Sequence, residues 1–168
     1  MSKTISDEER ARRAYTADHL DRYLRSGGAD GHIVDGTASG GHRFTATLLL
    51  RYVGRKSRRM ITTPLVYGSI GGEVVIAASR GADVHPAWYL NVLESKDVSF
   101  QIATQAFRAR WREPQGAERN EVWRFMDSVF PRYKTIRASA NRQIPLVMLS
   151  PLEPIDVFRP SDAQAQIP

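Results

Sequence analysis

Residues 44–79, FTATLLLRYVGRKSRRMITTPLVYGSIGGEVVIAAS, carry the pattern that decides the fold. Threonines, leucines and alternating character run over 44–53, stop at Gly54, and resume over 60–69 and 73–79. β-Branched and aromatic residues suit a pleated, half-buried surface, and the glycines at the breaks supply the turns. Gly54 opens a tight basic turn, whereas Gly71–Gly72 is a hairpin signal. Strands joined this closely cannot be parallel, because a parallel crossover needs a dozen or more residues. The stretch therefore predicts three antiparallel strands.

Working outward, 98–102 and 106–111 read as a further strand pair, and 144–149 with 155–158 close the set. A short helix is expected from Pro86, since proline suits the first helical turn. A longer one covers 117–129, where Val122, Phe125, Met126 and Val129 recur at helical spacing and would pack on the sheet. At the N-terminus Ser6 and Glu9 fit a capping box. Ala11, Ala14, Tyr15, Leu20, Tyr23 and Leu24 then continue a helix that Gly27 and Gly28 end. Six of the fifteen residues in 27–41 are glycine, which reads as a loop or lid. The expected fold is mainly β with α (α+β): a small antiparallel β-barrel with an N-terminal helix and two or three helices over its openings. Residues 1–41 form the helix and glycine-rich loop, 42–160 the barrel and 161–168 a tail, with no repeat or linker between them.

Composition narrows the chemistry. With 168 residues, 42% of them hydrophobic and 25% charged, the chain can bury a core and is not disordered. Zero cysteines exclude a disulfide scaffold, a thiol nucleophile and cysteine-based metal sites. The longest apolar run, 144–149, is too short for a bilayer, and the N-terminus opens polar and charged. A cytoplasmic protein is expected, with peripheral contact to the inner membrane face retained as an option. The formal net charge is +6, and Arg51, Arg55, Lys56, Arg58 and Arg59 crowd into 51–59 with no acid among them. Such a cluster is either a solvated loop or a site for a phosphate, a polycarboxylate, nucleic acid or an anionic surface.

Several standard sites fail on spacing. Lys56–Ser57 lacks the rest of a P-loop, and the glycines near Gly36 and Gly40 follow no strand. His19, His32, His42 and His85 show no metal-ligand spacing and read as loop and surface residues; no metal is expected. No nucleophile elbow is present, so redox chemistry would have to come from a bound cofactor. Three pieces remain. Gly54-Arg55-Lys56-Ser57 can hold a phosphate through a permissive turn, two cations and a hydroxyl. Ala77-Ala78-Ser79-Arg80-Gly81 would let a flat ring approach the backbone. Pro86 through Asn91 offers Trp88, Tyr89 and an amide, although, taken singly, both aromatics are more often core residues.

These pieces in this order resemble the deazaflavin (F420)-dependent nitroreductase family, split β-barrels within the flavin-binding pyridoxamine-phosphate-oxidase-like superfamily. The pattern continues through Thr63-Pro64-Leu65, Gly72, 116–119, Trp123, Pro131, Tyr133, Arg142, Ile144-Pro145 and Pro151, covering roughly 42–151. The resemblance implies coenzyme F420, an 8-hydroxy-5-deazaflavin with a phosphate and polyglutamate tail. It also implies hydride transfer to a small activated acceptor such as a quinone, an enone or a nitro compound. By this resemblance Arg55, Lys56 and Ser57 would hold the phosphate and tail, with Arg80 assisting. Pro64, Ala77, Ala78, Ser79, Trp88, Tyr89 and Asn91 would line the deazaflavin, and Tyr133 would be the proton donor. Two departures matter. Arg58 stands where the family has glycine and Ile61 where it often has arginine, leaving Arg58 or Arg59 to replace a cation. Phe130 and Ile136 stand where relatives carry tyrosines, making the substrate pocket more apolar and nitro reduction a poorer expectation. The alternatives are an FMN-binding barrel of the same fold and a non-catalytic flavin or lipid carrier. Nucleic-acid binding is disfavoured, because the basic stretch has only Tyr52 interleaved. The partner is a small-molecule substrate, and the chain is expected to be a monomer or homodimer.

Overall fold

A computed structural model describes residues 5–79 and 83–161. In chain order the elements are α1 (Asp7–Arg25), β1 (Ile33–Val34), β2 (Thr45–Val53), β3 (Met60–Val66), β4 (Gly68–Ile70) and β5 (Glu73–Ala77). They continue with α2 (Ala87–Val92), β6 (Asp97–Ile102), β7 (Gln105–Arg112), α3 (Gly116–Val129), α4 (Arg132–Ser139) and β8 (Leu146–Ile155). All ladders are antiparallel, in the order β1-β2-β6-β7-β8-β5-β4, with β3 on the other edge of β2.

The Leu48-Leu49-Leu50 run in β2 is explained by burial on both faces. Leu48 and Leu50 point into the barrel with Ile76, Phe100, Val147 and Leu149, whereas Leu49 packs outside with Tyr23, Leu24 and Phe158. A second outer face, Val75, Ala77, Leu146 and Met148, lies beneath α3 and α4. Among the described residues β2 is the only ladder partner of β3, so the barrel is split between β3 and β5. Pro64 sits on that open edge opposite Leu49, where a missing N–H costs no ladder bond.

Ser6 caps α1 by accepting the Glu9 amide at 3.2 Å. Only the last turns of α1 are buried, as His19, Tyr23 and Leu24. The Tyr23 hydroxyl donates to Thr47 O at 3.1 Å and accepts the Ala103 amide at 2.9 Å. Burial pushes this phenol well above its usual ionisation range.

Four expectations need correction. Residues 27–41 are not a free lid: β1 pairs with β2, the Thr47 amide donates to His32 O at 2.7 Å, and a 3-10 turn follows at Thr37–Ser39. Gly28, at φ +92°, is required there because a Cβ would collide with the Ala103 carbonyl. His19 is no surface histidine; it is buried, with Nε2 2.7 Å from Gly31 O. The strand expected over 60–69 breaks at Tyr67 into β3 and β4. Finally, 144–149 and 155–158 are not two strands, because β8 runs through Pro151 and Pro154 to Ile155. Both prolines lie beyond Leu149, where β8 pairs with β7 alone and a bulge at Arg108/Ala109 absorbs the irregularity.

Candidate functional site

The basic turn between β2 and β3 is closed by the Gly54 amide donating to Arg59 O and the Arg58 amide donating to Gly54 O, both at 2.8 Å. A side chain at Gly54 would press Ser57 Oγ and Ile61. Arg58 takes φ +57° at the position where the resemblance leads one to expect glycine, at a cost of about 1 kcal/mol for an L-residue. Arg55 is aimed by α2: its backbone N–H and its Nη1 both donate to Asn91 Oδ1, at 3.0 and 2.9 Å. Asn91 is buried, so the Asn91–Arg55 pair welds the turn to α2. Lys56, Ser57, Arg58 and Arg59 are exposed. Among the described residues Lys56, Arg58 and Arg59 make no ion pair, whereas Arg55 approaches Glu94 at 4.0 Å. A cleft of about 210 Å³ lies alongside, lined by Arg55, Arg58, Glu94 and Lys96 among others.

Across the split, β5 ends at Ala77, and Ala77 and the following Ala78 face opposite ways. Ala77 joins the outer cluster with Tyr133, Phe130 and Val66, and Ala78 joins the barrel interior. Ser79 is half-buried and Arg80 lies outside the described residues. The Ala78 amide donates to Pro145 O at 2.9 Å. Trp88 and Tyr89 are packed in the barrel core, edge to face at 6.0 Å. The Tyr89 hydroxyl donates to Glu113, and burial together with that carboxylate raises its pKa. The structure thus brings Arg55 to Asn91 and Ala77 to Tyr133, while Trp88 and Tyr89 serve the interior.

Tyr133, Phe130 and Ile136 form one apolar wall with Trp123. The Tyr133 ring lies 5.1 Å from Phe130 and 5.9 Å, edge-on, from Trp123. Its hydroxyl makes no hydrogen bond among the described residues, and burial raises its pKa. The phenol therefore stays protonated at neutral pH. The wall is carried by α4, a helix that sequence reasoning did not anticipate. An Arg137–Asp127 fork at 2.6 and 2.9 Å clasps α4 to α3, with the guanidinium 4.1 Å above the Trp123 ring. Residues ten apart on different helices leave no periodic signal in the sequence. An Asp127→Asn variant keeps the shape but strips the charge opposite a half-buried arginine, and is expected to cost about 2–3 kcal/mol. Chemical denaturation checks this, and an unchanged midpoint would remove the clasp from the account.

The sequence pattern of the F420H(2)-dependent quinone reductase family matches residues 21–151. An F420H(2)-dependent quinone reductase of Mycobacterium tuberculosis is 30% identical over 117 residues, spanning 66% of this chain and 78% of the relative. Among solved structures, an F420-H2 dependent reductase (FDR-A) is 29% identical with a TM-score of 0.57, covering 62% of this chain and 93% of its own. A second structure, described as a domain-swapped dimer, is 26% identical with a TM-score of 0.60 and covers 83% and 99%. The split antiparallel barrel is that of pyridoxamine-phosphate-oxidase-like proteins, and no helix of the described residues is long and apolar enough to cross a membrane. The chain belongs to the F420H(2)-dependent quinone reductase family, oxidoreductases whose cofactor is coenzyme F420.

Proposed function

We propose that this protein reduces a quinone-type acceptor with F420H2, holding the anionic end of the cofactor at the β2–β3 turn and the deazaflavin along the split between β3 and β5. The observation that carries the reading is the set of uncancelled cations on that turn. A phosphate with several carboxylates needs positive groups not already spent on protein acids, and Lys56, Arg58 and Arg59 meet that condition. Ser57 Oγ, which accepts the Arg59 amide at 3.3 Å, can still donate outward. Pro64, Ala77 and Ser79 offer small or flat surface on the two sides of the split.

Bound reduced F420 supplies a hydride. The chain's own residues orient the acceptor, exclude water and deliver a proton. Reduction of a quinone to a hydroquinone takes one hydride and one proton, so a single positioned acid completes it. Tyr133 is that acid: it is buried, protonated and free of competing hydrogen bonds among the described residues. Phe130 and Ile136 line the same wall without hydroxyls. An apolar wall suits the flat hydrocarbon face of a quinone ring, and leaves Tyr133 as the hydroxyl on that wall to meet its oxygen.

Side-by-side titration with F420 and FMN at low and high salt tests the cofactor site; a salt-sensitive preference for F420 is expected, and preference for FMN would overturn it. Tyr133→Phe is expected to lower kcat with a benzoquinone or naphthoquinone about tenfold to a hundredfold while leaving cofactor affinity within twofold. A rate equal to wild type would take the proton donor elsewhere.

A further inference from the structure

Arg142 spends both of its terminal nitrogens on neutral acceptors, four in all. Its Nη2 donates to Ala78 O at 3.0 Å and to Val84 O at 2.8 Å. Its Nη1 donates to Gln143 O at 3.4 Å and to His85 Nδ1 at 3.1 Å, which requires that ring nitrogen to be unprotonated. All four acceptors are neutral. Arg112 and Arg137, by contrast, have forks filled by Glu73, Glu118 and Asp127. The Arg142 Nε is buried with no partner among the described residues. Surrounding a guanidinium with neutral acceptors and leaving one N–H unmet is a poor way to gain stability, because desolvation of the charge is not offset by an opposite one.

What the arrangement achieves is geometry. One nitrogen fixes the peptide at the end of β5 and the peptide that leads into α2, while Pro145 O holds the other side of Ala78. We propose that Arg142 is a positioning residue for the cofactor: it holds the backbone at Ala78 and Val84 so that the end of β5 meets the deazaflavin ring as a preformed edge. The inference rests on the placement of F420 along the β3–β5 split. It assigns the ring's affinity to Arg142 and the tail's affinity to the basic turn, which are separable by ligand. Preorganisation of this kind raises affinity by removing the cost of ordering the backbone on binding.

The experiment is a binding titration with wild type, Arg142→Ala and the Arg55→Ala/Lys56→Ala double variant. The ligands are F420 and a truncated 5-deazaflavin lacking phosphate and glutamates, each at low and high salt. Arg142→Ala is expected to weaken both ligands by the same factor, about tenfold or more, at either salt. Added methylguanidinium should restore part of that loss, which a general loosening of the fold would not allow. The double variant should lose affinity for F420 alone. If Arg142→Ala binds both ligands like wild type, loses only F420 and only at low salt, or is not rescued, the positioning role is overturned. Should that variant not fold, Arg142→Met, which keeps the length of the aliphatic stem but has no donor for either carbonyl, is read by its loss of affinity for both ligands. Wild type that binds neither ligand would overturn the placement of F420 itself, and the role of Arg142 with it.

Discussion

Replacing Arg55 and Lys56 together by alanine is expected to weaken F420 binding about a hundredfold in low salt. Two charge-assisted contacts to phosphate or carboxylate, at about 1.5 kcal/mol each, amount to about 3 kcal/mol or two decades in Kd. The residual binding should also respond less to salt, because fewer screened contacts remain. The two residues fail differently. Arg55 donates twice to the buried Asn91 Oδ1, and its truncation removes the side-chain donor while the backbone N–H stays. Some loss of thermal stability should therefore accompany Arg55→Ala but not Lys56→Ala, whose side chain is exposed and unpaired among the described residues. Titration of the single variants, with melting curves alongside, separates the contributions. Affinity within threefold of wild type in the double variant would move the tail site away from this turn.

The turn was legible because glycine, a run of cations and flanking strands coincide over a few residues. The strands of 44–79 were legible for the same reason: pattern and breakers agree. Where they disagree, the reading failed. Pro151 and Pro154 hid the second half of β8, although its open side there makes a missing N–H harmless. The α4 helix is too short and too polar to announce itself, and it is defined by the Arg137–Asp127 clasp and the Trp123 ring beneath it. Trp88 and Tyr89 show a different limit. An aromatic face can cover a cofactor ring or plug a barrel, and residue type does not distinguish the two. Only the packed structure, in which both join the cluster of Leu48, Ile76 and Phe100, places them inside. Arg142 illustrates the same point for charge: three of its four partners are backbone carbonyls, which have no sequence signature.

The largest stability effect is expected far from any of these groups, at Phe158. The residue lies past the end of β8, where an additional strand was anticipated, and functions instead as a strap. It is 1% exposed and packs against Tyr23, Leu24, Leu49 and Ala106. Its amide donates to Gln101 Oε1 at 2.7 Å, and Gln101 Nε2 in turn donates to Ala103 O at 2.9 Å, so the fully buried amide is satisfied at both ends. The Arg51 guanidinium covers the ring at 3.6 Å from its centroid. Phe158→Ala removes the ring that joins α1 to β2 and uncovers the Gln101 amide, whose desolvation is tolerated only while its partners hold. A loss of about 3–5 kcal/mol is expected, which at this chain length lowers Tm by about 10 °C. Ile155→Ala, at a position on the same segment that is 37% exposed, should shift Tm by less than about 2 °C. Melting of both variants decides the matter: equal small shifts would mean that the strap is peripheral and that α1 is held by Tyr23 alone. A large shift confined to Phe158, with F420 affinity of the folded fraction unchanged, would show that the C-terminal segment closes the core without taking part in the site.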